Sequence, residues 1–84
     1  MHRLLLGPNA QRDLDRLTGA TWERVKEALA DLAHTPRPRG CVKLHTGAWR
    51  VQVGNFRVPY DVDDKARTVE VLRVKHRRES YRGL

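Results

Sequence analysis

The chain concentrates its most suggestive chemistry in a few cationic side chains and one tyrosine. Arg50, Gln52 and Arg57 sit in WRVQVGNFRVPY, while His76, Arg77, Arg78 and Tyr81 follow in HRRESYR. A guanidinium presents a planar fork of donors that fits a phosphate, and with a pKa above ~12 it acts as a fixed charge, not as a base. If the two halves of WRVQVGNFRVPY pair across Gly54-Asn55, Arg50, Gln52 and Arg57 gather on one strand face. Like charges placed diagonally on a sheet repel unless an anion occupies the space between them. The plain alternative is a solvated exterior. Tyr81 has three readings: a packing anchor for the tail, a stacking platform for a base, or a proton donor. His76 reads equally as structural or functional.

Other chemistries find little support. His2, His34, His45 and Cys41 lack the spacing of metal ligands, so neither metal nor cofactor is expected. The chain has no glycine-rich phosphate loop and no nucleophile elbow. Ser80 has no neighbouring base and orienting acid. Asp61, Asp63 and Asp64 are better explained by turn chemistry than as a carboxylate cluster.

The 84 residues suffice for a single domain, 1–84, with a modest core. Hydrophobic residues make up 39% and charged residues 32%, as in globular proteins. The apolar runs fall far short of a membrane span, the opening MHRLLLG is too short for a signal peptide, and Cys41 is the single cysteine. A reducing cytoplasm is the expected location. The net charge of +7 is unevenly spread. Residues 1–36 hold five basic and five acidic side chains; residues 37–84 hold twelve and five, and so contain the whole surplus. That asymmetry favours a polyanion such as nucleic acid over a membrane surface.

The elements that must position these groups follow from periodicity. His2 to Leu6 fits a short strand, and Gly7-Pro8 opens a helix. Ala10, Leu14 and Leu17 form its apolar stripe; Trp22, Val25, Leu29 and Leu32 form that of a second helix capped by Thr21 and stopped by Thr35-Pro36. After the loop RPRG, Lys43 begins an extended stretch. Trp49, Val51 and Val53 then alternate with Arg50 and Gln52, as in a half-buried strand. A two-residue turn at Gly54-Asn55 sets Val53 against Phe56, Gln52 against Arg57 and Arg50 against Pro59. Pro59 has no N–H for the next strand, so a missing bond or a small bulge is expected there. Asp61 to Lys65 reads as a turn. Thr68 to Lys75 reads as a central strand with apolar residues on both faces.

The order of elements and several phrases resemble the RelE/ParE toxin superfamily of type II toxin–antitoxin modules. The resemblance covers nearly the whole chain, from DLDRL through HTPRPRG to VKLHTGAWRVQVGNFRVPYDVDD and VLRVKHRRESYR, and HRRxxYR looks more like the RelE branch. It implies an α+β fold in the order β-α-α-β-β-β: a two-helix hairpin packed on a four-stranded, mainly antiparallel sheet. It further implies a ribosome-dependent mRNA endoribonuclease that inhibits translation, in which a nucleotide's own 2′-hydroxyl attacks the adjacent phosphate. Arg57, Arg77 and Tyr81 match catalytic positions. Lys43, Arg50, Gln52, His76 and Arg78 are the RNA- or phosphate-binding candidates. Implied partners are a cognate antitoxin of the RelB or Phd kind, the ribosome and mRNA, with operator DNA bound through the antitoxin. Gln52 departs from the family pattern: a lysine thought to help as base is usual there, and glutamine cannot take that role. Lys43 and His76 are the candidate replacements. The alternatives are a ParE-like toxin that inhibits DNA gyrase without catalysis, or a catalytically weak RNA-binding module.

Overall fold

The computed structural model describes residues 1–78, and the outcome is an α+β sandwich of one helical layer on one mixed sheet. Strand β1 (Arg3–Leu6) leads into helices α1 (Pro8–Asp15) and α2 (Gly19–His34). The remaining strands are β2 (Val42–Lys43), β3 (Trp49–Val53), β4 (Phe56–Asp63), β5 (Thr68–Val71) and β6 (Lys75–His76). The sheet runs β1-β5-β4-β3-β2, and β6 pairs with the start of β4. Four of these strands are the expected ones; β2 and β6 are additional two-residue strands. The β1–β5 pairing is parallel and the others are antiparallel.

Both helices cover one face of this sheet. Ala10, Leu14, Val25, Leu29 and Leu32 pack against Val53, Val58, Tyr60, Val69, Val71 and Val74. The apolar stripes are therefore core, except at Trp22. That ring is half-exposed and lies 4.6 Å from the Nζ of Lys26, one helical turn on. Helix α2 also starts earlier than the stripe indicates. Thr18 takes the cap position in extended conformation, and Gly19 begins the helix at φ +58°, so Thr21 lies inside it.

The central hairpin adopts the expected register throughout, from Val53 opposite Phe56 to Trp49 opposite Tyr60. Gly54 turns the chain at φ +59°, a left-handed conformation that glycine adopts without steric cost. Strand β4 continues to Asp63, into the expected turn, so that the turn itself occupies 64–67. The Oδ1 of Asp63 then accepts a hydrogen bond from the Ala66 N–H at 2.9 Å, the turn chemistry anticipated for this cluster. Asp64 instead pairs with Arg37 at 2.9 Å and His2 at 3.1 Å, tying the 36–40 loop to the N-terminus.

The largest departure concerns residues 68–76, which form two strands and not one. Along β5, Val71 faces Tyr60 and Glu70 faces Asp61; along β6, Lys75 faces Arg57 and His76 faces Phe56. Three residues, Leu72 to Val74, thus span the same distance as Val58 and Pro59. One extra residue in a strand is a β-bulge. It lies opposite Pro59, whose missing N–H removes a bond that would hold a regular ladder; the Pro59 carbonyl still accepts from the Leu72 N–H at 2.9 Å. A slip of one residue reverses the facing of everything after it. Hence Val69, Val71 and Val74 all point into the core, despite the change of spacing from two to three.

Asp13 of α1 fastens this bulge. Its carboxylate accepts from the Val74 N–H at 2.9 Å and from Arg73 through Nε at 2.8 Å and Nη2 at 3.2 Å. Burial pushes the carboxyl pKa up, but the hydrogen bonds from Arg73 and Val74, with the charges of Arg73 and Arg16, outweigh it and hold it below the usual aspartate value. A second anchor is Tyr60, fully buried, whose hydroxyl donates to the Pro36 carbonyl at 2.8 Å. Burial pushes its pKa well above the ordinary phenol value, so the donor keeps its proton. Replacing Tyr60 with phenylalanine should destabilise the domain by about 1–2 kcal/mol and speed amide exchange in the 36–40 loop. Urea titration and hydrogen exchange would check both effects.

Candidate nucleic-acid interface

The face of the sheet opposite the helices carries the cationic groups. Residues directly opposite one another in a ladder share a face, with Cα atoms ~4.5–5.5 Å apart. One row across three strands therefore reads Gln52, Arg57, Lys75. The next reads Val42, Arg50, Pro59. Arg50 is diagonal to Arg57, a separation of ~7–8 Å in an antiparallel pair. Both arginines and Lys75 are half-buried, which restricts the directions their heads can take, and the Nε of Arg57 is buried.

Arg77 and Arg78 extend the positive charge beyond β6. The Arg77 N–H donates to the Asn55 carbonyl at 2.6 Å, which fixes this residue beside the hairpin turn. The Arg78 N–H donates to the Nδ1 of His76 at 3.2 Å. With Asn55, these three residues line a shallow depression of about 410 Å³ at the hairpin end. Asp61 and Glu70 face each other at the other end of the same face, and Asp63 and Thr68 form the row beyond. The hairpin end of the open face is thus basic, while the other end sets three carboxylates against the single Arg3 of β1, a polarity that would align a polyanion with the hairpin.

The structure does not gather every candidate on that face. Lys43 pairs with Trp49, whose row continues to the buried Tyr60, and its Nζ lies 5.6 Å from the indole centroid. Lys43 therefore belongs to the helix side of the sheet. The bulge likewise sets His76 in the row of Phe56, where the two rings meet edge to face at 5.3 Å. Gln52 shares the row of Arg57, and its side-chain amide donates to the Gly54 carbonyl at 3.1 Å, bracing the turn. Tyr81 lies outside the described residues. Sequence reasoning missed Lys75, which periodicity placed at the end of a regular strand, and Asp13, which it left on a polar helix face. The signal for Lys75 was the valine spacing at 69, 71 and 74, read together with Pro59 across the ladder; nothing in the sequence marked Asp13.

A two-helix layer on one side of a small mixed sheet, with arginines massed on the other, is the architecture of a bacterial or archaeal toxin of the RelE/ParE kind. The chain belongs to the family described as the ParE toxin of the type II toxin–antitoxin system parDE, whose model matches residues 4–81. It is similar to the toxin RelG of Mycobacterium tuberculosis, with 36% identity over 76 residues covering 87% of each chain. Among solved structures, it resembles a chain of the toxin–antitoxin complex RelBE2 from the same organism, at 30% identity and a TM-score of 0.79 over 89% of this chain and 96% of that one. A chain of the archaeal RelE–RelB complex from Pyrococcus horikoshii matches with a TM-score of 0.80 and 29% identity, covering 90% of this chain and 94% of that one. The isolated RelE toxin of Escherichia coli shares the fold at 18% identity and a TM-score of 0.77, over the full length of both chains.

Proposed function

We propose that this toxin cleaves mRNA at the ribosome without a metal ion. The observation that carries this reading is the placement of Arg57 on the middle strand of the open sheet face, at its hairpin end, flanked in register by Gln52 and Lys75 and diagonally by Arg50. In this mechanism, the RNA's 2′-oxygen forms a bond to the adjacent phosphorus as its proton leaves. The bond to the 5′-oxygen breaks, and that oxygen gains a proton. The products are a 2′,3′-cyclic phosphate and a 5′-hydroxyl. Arg57 and Arg77 stabilise the extra negative charge on the pentavalent phosphorus, and Arg50 positions the backbone. Tyr81 stacks on a base and relays a proton. Gln52, already braced against Gly54, takes no part in proton transfer.

The partners in this reading are the ribosome, mRNA and a cognate antitoxin that carries the operator-binding function, all in the cytoplasm. Among the described residues, no helix is long and apolar enough to cross a membrane. A groove of about 630 Å³ between α2 and β3, with Ala28, Leu32, Val51 and Val53 in its lining, suits an amphipathic antitoxin segment. A second reading, inhibition of DNA gyrase by binding alone, is favoured by the match to the ParE family model. Induced expression with primer-extension mapping of mRNA ends separates the two. Cuts that require ribosomes are the expected result, and DNA damage with intact mRNA would favour the second reading.

A further inference from the structure

We propose that Lys75 supplies the scissile phosphate with the positive charge that Gln52 cannot, forming with Arg57 a clamp from adjacent strands. The proposal rests on the RNA-cleavage reading and adds a residue to it. Its first support is position. Lys75 and Gln52 flank Arg57 from opposite sides in a single row, so an anion held over Arg57 is about equally near to both. Lys43 and His76, the other replacements considered for the missing lysine, occupy rows on the helix side.

Its second support is the way the chain arrives there. A regular continuation of β5 would leave Lys75 on the side of Val71, facing the core. The bulge opposite Pro59 turns it outward, and Asp13 holds that bulge through the Val74 N–H at 2.9 Å. A buried carboxylate and a strand proline thus combine to set one lysine beside one arginine.

Electrostatics supplies the third support. Directly opposed like charges destabilise a sheet, and Gln52 brings no negative charge to the row. A phosphate over the row relieves this repulsion, and the relief grows as the phosphorane gains a further negative charge. The ammonium is a compact charge with three donors on a flexible stem, suited to one non-bridging oxygen while Arg57 spans two. Lys75 transfers no proton in this role, so the bonds made and broken are those given above.

The test uses the purified toxin with ribosomes programmed with a defined mRNA, read as single-turnover cleavage. Lys75→Ala should slow cleavage about 100-fold, the scale set by loss of one preorganised donor. Lys75→Arg should retain activity within tenfold. Adding Gln52→Lys to Lys75→Ala should restore most of the rate, because the charge returns to the same row from its other end. A merely structural lysine would show no such rescue. Cleavage by Lys75→Ala within threefold of the native rate, or absence of rescue in a folded double variant, overturns the assignment. Binding to a 2′-O-methyl RNA tests the phosphate contact independently of cleavage. Loss of one contact should flatten the dependence of log affinity on log salt by about 0.7. If the native toxin cuts no mRNA and this slope still falls, the cleavage reading fails while the phosphate contact stands. An unchanged slope removes the contact as well.

Discussion

Replacing Asp13 with alanine should lower the unfolding free energy by about 2–3 kcal/mol. The substitution leaves the Val74 N–H without its acceptor and takes the carboxylate from Arg73. Removing one member of a buried charged pair costs ~3–5 kcal/mol, and the partial exposure of Arg73 argues for the lower side. For a domain of this size, each kcal/mol shifts Tm by roughly 4–8 °C, so a fall of more than about 10 °C is expected. Asp13→Asn should lose less, since its amide oxygen can still accept from Val74. The folded-state pKa of this carboxyl lies below its unfolded value. Its stabilisation is therefore complete above the unfolded pKa of ~4 and disappears as pH falls through the folded value. Denaturant titrations of the native protein from pH 6 to pH 3 should show this loss, and Asp13→Asn should show less of it. Equal stability of the native and alanine forms would remove Asp13 from the account.

Arg57→Ala should reduce ribosome-dependent cleavage by a factor on the order of 10²–10³, or about 3–4 kcal/mol of transition-state stabilisation. Arg57 stands between Gln52 and Lys75 in one row and diagonal to Arg50, so its loss empties the middle of the site. Arg57→Lys keeps the charge but not the planar fork, and an intermediate rate should result. Arg50→Ala removes a group one row away and should act mainly on KM. Comparing kcat and KM for the three variants checks this order, with melting curves to confirm folding. Full translation arrest by Arg57→Ala would point away from phosphate chemistry and toward inhibition by binding.

Where local rules and tertiary rules agreed, the sequence was readable. The hairpin is the clearest case, since alternation from Trp49 to Val53 and a glycine-bearing turn leave one register that buries the apolar side chains. The helical stripes were legible for the same reason, and so was the clustering of Arg50, Gln52 and Arg57. Trp22 misled because a large ring can be shielded by a lysine on its own helix and so satisfy the apolar spacing from outside the core. Residues 68–76 misled more seriously. Pro59 announced a defect in the ladder, but its consequence falls on another strand, and local periodicity cannot carry information across a sheet. Asp13 was illegible for a related reason. A carboxylate on a short helix looks solvated until the backbone donor it serves, 61 residues away, is in place.

Counting parity from Pro59 onward leads to a rule about chain length. The segment 72–74 works as a side-chain inverter: its odd residue exchanges the inward and outward sets for all that follows in β6. Removing one of the three would restore a regular ladder with Lys75 still opposite Arg57, whereas straightening the segment at its present length would turn Lys75 toward the core and His76 outward. Relatives of equal length with a regular ladder here would need the opposite alternation to present the same chemistry. Between such chains, identities compared column by column at this point would pair residues that look in opposite directions.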